Sequence, residues 1–186
     1  RAAVARSGAP TAITIKRDRS YLITGASGGL GMLFAKWFAE QGAGEIILAA
    51  RRDVRELDAA GVAAIEALGA KVTTVKADTA DRASVHSLIE TAQAFSLPLA
   101  GVIHAAGVLA DAFVVNQDIA GFKKVMGPKL AGAWYLHEET RHIDLDMFVL
   151  FSSLSSMLGA PGQANYAASN AFLDGLCAHR RVRGEP

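Results

Sequence analysis

Residues 21–31 read Tyr21-Leu-Ile-Thr24-Gly-Ala-Ser-Gly-Gly-Leu-Gly31. A short apolar run stops at a glycine-rich turn. From Met32 to Gln41 apolar residues then recur at Leu33, Phe34, Trp37 and Phe38. That spacing predicts a strand, a tight turn and an amphipathic helix. Gly25, Gly29 and Gly31 stand in a G-x3-G-x-G pattern. Glycine permits close backbone approach, and a helix that starts there offers free N–H groups to a pyrophosphate. The pattern alone is weak; its place at the first strand-to-helix turn of an alternating chain gives it weight. Gly25, Ser27, Gly28, Gly29, Leu30 and Gly31 are therefore candidate cofactor contacts. A plain glycine-rich turn is the competing reading.

Outward from this turn the alternation continues. Strands are expected at Tyr21–Thr24, Glu45–Ala50, Lys71–Ala77, Leu99–Ala106 and Asp146–Ser152. Helices are expected over Val54–Leu68, Arg82–Phe95, Phe122–Glu138 and Ala164–Arg183, with Pro128 kinking or breaking the third of these. Most strands are apolar on both faces. The implied fold is α/β: a doubly wound parallel sheet, order 3-2-1-4-5, with helices on both faces. Residues 20–186 form one domain. Residues 1–19 read as a linker or as the remnant of a preceding unit, with a short strand conceivable at Thr11–Ile15.

Composition narrows the function. Of 186 residues 51% are hydrophobic and 20% charged, and the net charge is +1. These values fit a globular core and give no reason to expect nucleic acid or a membrane surface as partner. No apolar run reaches the ~20 residues of a membrane helix, and a cytoplasmic setting is the default. One cysteine, Cys177, and five scattered histidines give no metal-ligand spacing. Cys177 reads as a structural thiol and His104 as a packing residue.

The second strand ends in Arg51-Arg52. An acidic residue there would grip a ribose 2′-hydroxyl, whereas arginine accommodates a 2′-phosphate, so the pair points to NADPH. Two solvated arginines are the alternative. Asp78, after the third strand, either accepts from the adenine amino group or caps a turn. Ser153 closes the fifth strand, Tyr166 follows thirteen residues later, and Asn170 lies one helical turn beyond. Lys129 comes from the preceding long helix. These groups suit carbonyl reduction. A tyrosine, free pKa about 10, is a weak acid at neutral pH, and a neighbouring ammonium eases its proton transfer. Ser153 donates to the developing oxyanion, and Asn170 orients Lys129 or a water.

Thr24-Gly-Ala-Ser-Gly-Gly-Leu-Gly31, His104-Ala-Ala-Gly107 and Tyr166-x-x-x-Asn170 resemble the extended short-chain dehydrogenase/reductase family, which has a Rossmann-type fold. Phe148-Val-Leu-Phe-Ser-Ser153 and Gly159-Ala-Pro-Gly-Gln-Ala-Asn-Tyr166-Ala-Ala-Ser-Asn170 narrow the resemblance to ketoreductase domains of polyketide synthases. Gly127-Pro-Lys129 and Gly132-Ala-Trp-Tyr-Leu-His137 match that family's long helix. The resemblance implies a tetrad of Lys129, Ser153, Tyr166 and Asn170, with asparagine where ordinary short-chain reductases carry lysine. It adds Ala105, Ala106 and Gly107 to the cofactor contacts. It implies NADPH as cofactor and a β-ketoacyl thioester on an acyl carrier protein as substrate, inside a multidomain chain. A catalytically silent scaffold and a reductase of a free small ketone are the alternatives.

The resemblance also bears on stereochemistry. B-type members, which give the D-alcohol, carry Leu-Asp-Asp where this chain has Leu109-Ala-Asp111, so one aspartate is kept and one is not. Pro161 and Asn165 match further B-type positions, and Leu158 replaces the A-type tryptophan. Complete family domains also have an upstream structural half, two further strands and a substrate lid, none of which is expected here. The free sheet edge would then expose apolar surface. The basic run His179, Arg180, Arg181 and Arg183 reads as a cationic helix end favoured by the dipole.

Overall fold

A computed structural model describes residues 14–186. The conceivable strand at Thr11–Ile15 lies mostly outside these residues, and Thr14 and Ile15 carry no strand. The chain runs β1 (Ser20–Thr24), α1 (Gly29–Glu40), β2 (Glu45–Ala50), α2 (Val54–Leu57), α3 (Ala59–Glu66), β3 (Lys71–Lys76), α4 (Arg82–Ala94) and β4 (Leu99–His104). A single 3-10 turn (Val114–Asn116) precedes α5 (Ile119–Met126), a five-residue π-turn (Gly127–Ala131) and α6 (Gly132–Thr140). β5 (Met147–Leu150), α7 (Ser155–Leu158) and α8 (Ala164–Val182) complete it.

The five strands form one sheet in the order β3-β2-β1-β4-β5, and every neighbouring pair is parallel. This is the expected doubly wound arrangement, with the reversal of strand order between β1 and β4. Side chains alternate across the sheet as the period of two requires. Tyr21, Ile23, Ile46 and Leu48 join Phe38 of α1 and Ile65 of α3 in one core. Leu22, Ile47 and Val102 face the opposite side with Leu88 of α4 and Leu136 of α6. Helix α8 packs beside α6 through Leu173 and Leu176 against Ala133.

Two expected helices are divided. Val54–Leu68 breaks at Asp58, whose φ of −147° and ψ of 67° leave the helical region while its carboxylate accepts from the Gly61 N–H. One aspartate thus ends α2 and caps α3. Phe122–Glu138 is interrupted by the π-turn, with Pro128 inside it and Gly132 N–H reaching back to the Gly127 carbonyl. Arg180 is one of the basic residues in the last turn of α8. It is buried, with its guanidinium 3.9 Å from the Phe148 ring centroid, and it donates to His137 Nδ1 and the Pro186 carbonyl. Among the described residues no helix is long and apolar enough to cross a membrane, and no His/Cys/Asp/Glu group could hold a metal ion.

Candidate active site

The glycine-rich turn joins β1 to α1 at the carboxyl edge of the sheet. Gly25 has φ +71°, and a Cβ there would fall 2.5 Å from the Ala106 nitrogen, so only glycine lets this turn nest against the end of β4. Gly29, by contrast, has open space where a Cβ would stand. Helix α1 starts there with no side-chain cap at Gly28. A helix start with no side-chain cap is the kind of place that suits an anionic group.

Beside this helix start lies a crevice of about 410 Å³. Gly25, Ser27, Gly28, Arg51, Asp78, Ala105, Ala106 and Gly107, all among the cofactor contacts expected from sequence, line it. Gly29, Leu30, Gly31 and Arg52 do not. Gly31 is buried beneath the turn, where a Cβ would sit 2.7 Å from Ala26 Cα, and Arg52 is exposed outside the crevice. Asp78 sits at the wall, but Oδ1 accepts from Ala80 N–H, so its carboxylate already serves the turn. Thr79, Lys123, Lys124 and Pro128 also line the crevice. Sequence reasoning did not single out the first three as contacts; a lysine pair five and six residues before Lys129 was the available signal.

A second cluster adjoins it through the Pro128–Lys129 peptide. Lys129 is only 6% exposed. Its Nζ donates to the Phe151 carbonyl at 2.8 Å and to Asn170 Oδ1 at 2.7 Å, and lies 5.1 Å from the Tyr166 ring centroid. An ammonium only donates, so the Asn170 atom facing it is the oxygen. Asn170 Nδ2 then donates to the Tyr166 carbonyl one turn back. Gly107 leaves room for the lysine stem, since a Cβ there would meet Lys129 Cε at 3.1 Å. Burial pushes the Lys129 ammonium down to about 8, partly offset by the negative charge of Asp174.

Ser153 stands beyond β5, where its Oγ accepts from the Ser155 N–H at 3.2 Å and keeps its own proton free to donate. The four residues named from sequence are thus carried to the carboxyl side of β4 and β5, and three of them touch directly. His104 is buried at the end of β4, between Thr24 Oγ1 at 2.7 Å and the Pro128 carbonyl at 2.9 Å. Burial pushes its imidazole down to about 4, which leaves it neutral near pH 7.

The stereochemical positions cluster at the outer rim. Asp111 Oδ2 accepts from Gln163 Nε2 at 3.0 Å, Leu109 is exposed, and Pro161 is exposed in the turn before α8. Asn165, the other B-type match, turns inward. It is 1% exposed, and its Nδ2 donates to the Ala110 carbonyl at 2.8 Å. It ties the 109–111 loop to α8. Cys177 is half-buried, and burial pushes its thiol up.

A family model described as the KR domain matches residues 19–186. One component of the phenolphthiocerol/phthiocerol polyketide synthase of Mycobacterium tuberculosis is 41% identical over 172 residues, 92% of this chain and 8% of that protein. Another relative from that organism, Pks1, is 44% identical over 169 residues, 90% of this chain and 10% of its own length, and carries "inactive" in its name. An N-terminal ketoreductase from the macrolactin assembly line superposes with a TM-score of 0.89 at 35% identity, covering 96% of this chain and 37% of that one. A structure described as A-type ketoreductases from a modular polyketide synthase gives 0.85 at 42% identity, covering 90% and 36%. The chain thus spans about a tenth or less of these curated relatives and somewhat over a third of these solved ketoreductases. With its parallel sheet, its glycine turn and the match over residues 19–186, the chain belongs to the polyketide synthase ketoreductase (KR) domains of the short-chain dehydrogenase/reductase family.

Proposed function

We propose that the chain reduces a β-ketoacyl thioester, carried on an acyl carrier protein, to the β-hydroxyacyl thioester with NADPH, as part of a longer synthase polypeptide. The observation that carries this reading is the buried contact of Lys129 with Asn170 beside Tyr166. A domain kept only for its shape has no chemical need to hold an ammonium that burial disfavours.

The residues present fit the dinucleotide. The uncapped start of α1 and the space at Gly29 suit its pyrophosphate, and Arg51 at the crevice wall suits a 2′-phosphate. When bound, the reduced nicotinamide supplies the hydride to the carbonyl carbon. The chain's own task is the oxygen. Tyr166 donates its phenolic proton as negative charge develops there, and Ser153 donates a hydrogen bond to the same oxygen. The Lys129 ammonium favours the phenolate left behind. Asn170 holds Lys129 in place while its amide fixes the Tyr166 turn.

B-type selection, giving the D-alcohol, belongs to the same proposal. Its support is the rim that Gln163–Asp111 and Asn165–Ala110 build beside Tyr166. The competing reading of a silent scaffold is favoured by the relative with "inactive" in its name. Following NADPH fluorescence with a β-ketoacyl thioester surrogate decides between them, with NADH in parallel and chiral analysis of the alcohol. NADPH consumption and a D-alcohol support the proposal. Tight binding without turnover supports the scaffold.

A further inference from the structure

Between the glycine turn and the lysine lies a chain of three groups: the buried Thr24 and His104, and the half-buried Pro128. His104 Nε2 is 2.9 Å from the Pro128 carbonyl, which can only accept, so Nε2 carries the ring proton. The neutral ring then presents a bare Nδ1, and the Thr24 hydroxyl at 2.7 Å is its donor. Both ends of this imidazole are thereby fixed. Thr24 also accepts the Ala105 N–H through its backbone carbonyl at 3.2 Å, so this end is anchored in the turn that cradles the cofactor.

The other end holds the peptide on which the lysine depends. The Pro128 carbonyl belongs to the planar unit that ends at Lys129 Cα. That unit lies in the π-turn Gly127–Ala131, a widened turn of the kind that often marks a functional position. If the carbonyl swings, Lys129 Cα moves, and Nζ leaves Phe151 and Asn170.

We infer that His104 is a positioning residue for reduction: by donating Nε2–H to the Pro128 carbonyl, it sets Lys129 in register with the cofactor turn. The assignment rests on the proposed role of Lys129 above. It gives His104 no part in proton transfer and no contact with substrate.

The test uses the full-length synthase polypeptide, NADPH and a β-ketoacyl thioester surrogate. His104→Asn reaches Thr24 but is too short to donate to Pro128. His104→Gln restores a donor near the Nε2 position. A misplacement of the order of 1 Å in a reacting group costs up to roughly 100-fold. The expected result is a kcat at least ~10-fold lower in H104N, with the thioester KM and the NADPH Kd within about twofold of wild type. H104Q should recover to within roughly threefold. His104→Cys, also without a donor that reaches, replaces H104N if the latter binds no NADPH. The positioning role is overturned by an unchanged kcat in H104N, by equal impairment of H104N and H104Q, or by loss of NADPH binding in both H104N and H104C. Wild type and Lys129→Met run alongside. A wild type that does not reduce, or a K129M that reduces normally, overturns the proposed function instead.

Discussion

The buried lysine makes a prediction about pH. Lys129 is lowered from 10.5 to about 8, mainly by burial, with Asp174 opposing. Holding the ammonium in this site therefore costs about 3 kcal/mol relative to water, at 1.36 kcal/mol per unit. A lysine whose value falls on folding is charged below that value and neutral above it. If reduction needs the ammonium, kcat is flat below pH 8 and declines tenfold per unit as pH rises through about 8. Replacing Asn170 by Asp puts a carboxylate where Oδ1 now accepts from Nζ at 2.7 Å. An opposite charge at that range raises the ammonium by about 1–3 units, so the decline in N170D should begin near pH 9 or above. The Tyr166 carbonyl loses the Asn170 amide donor in this variant, yet keeps its place in α8. The assay is the initial rate of NADPH oxidation at saturating thioester from about pH 6.5 to 10, a range that brackets both declines. A wild-type rate still flat at about pH 10 would show that deprotonation of Lys129 does not limit reduction. An N170D decline unmoved or shifted downward would show the same.

Three further predictions address the cofactor turn, and a fourth the rim. Gly25→Ala places a methyl within 2.7 Å of Ala105 and Ala106 backbone atoms at φ +71°, and should abolish NADPH binding together with the fold of the turn, read by fluorescence titration and circular dichroism. Gly29→Ala meets nothing within 4 Å, so the thermal transition should stay within ~2 °C while NADPH Kd rises about tenfold, read by the same titration. Arg51→Ala should weaken NADPH by about 10–100-fold, the worth of a charge-assisted contact, and leave NADH within twofold; equal losses would place the 2′-phosphate elsewhere. Asn165→Ala removes the donor to the Ala110 carbonyl, and chiral chromatography should show a D/L ratio at least about fivefold lower than wild type with kcat changed less than that.

The parallel, helix-covered sheet was legible because it rests on repetition. Five apolar runs alternate with amphipathic helices, and a parallel sheet with helices on both sides buries both faces of each. The turn at Gly25 was legible because its glycine is demanded locally, by a positive φ and a backbone contact. Features that depend on distant partners were not legible. Asp58 divides a helix that Ala-rich periodicity carries through, because its carboxylate finds Gly61 N–H. Pro128 announced a break, but not that His104 from β4 would hold the widened turn. Asn165 matched a B-type position, but its partner was not legible: it turns inward to the Ala110 carbonyl, 55 residues back in the chain. Arg180 read as one more cation at a helix end because sequence does not show that the Phe148 ring lies beneath it.

Everything proposed for the site depends on Tyr166 delivering the proton in an NADPH-driven reduction. A single-turnover NADPH fluorescence trace with a β-ketoacyl thioester, for wild type and Tyr166→Phe at neutral pH, measures that step alone. Wild type should oxidise its bound NADPH. Y166F should give at least a ~100-fold slower trace at unchanged NADPH Kd. A Y166F rate within a few-fold of wild type would mean that the proton comes from another group, and the assignment of Tyr166 would fall.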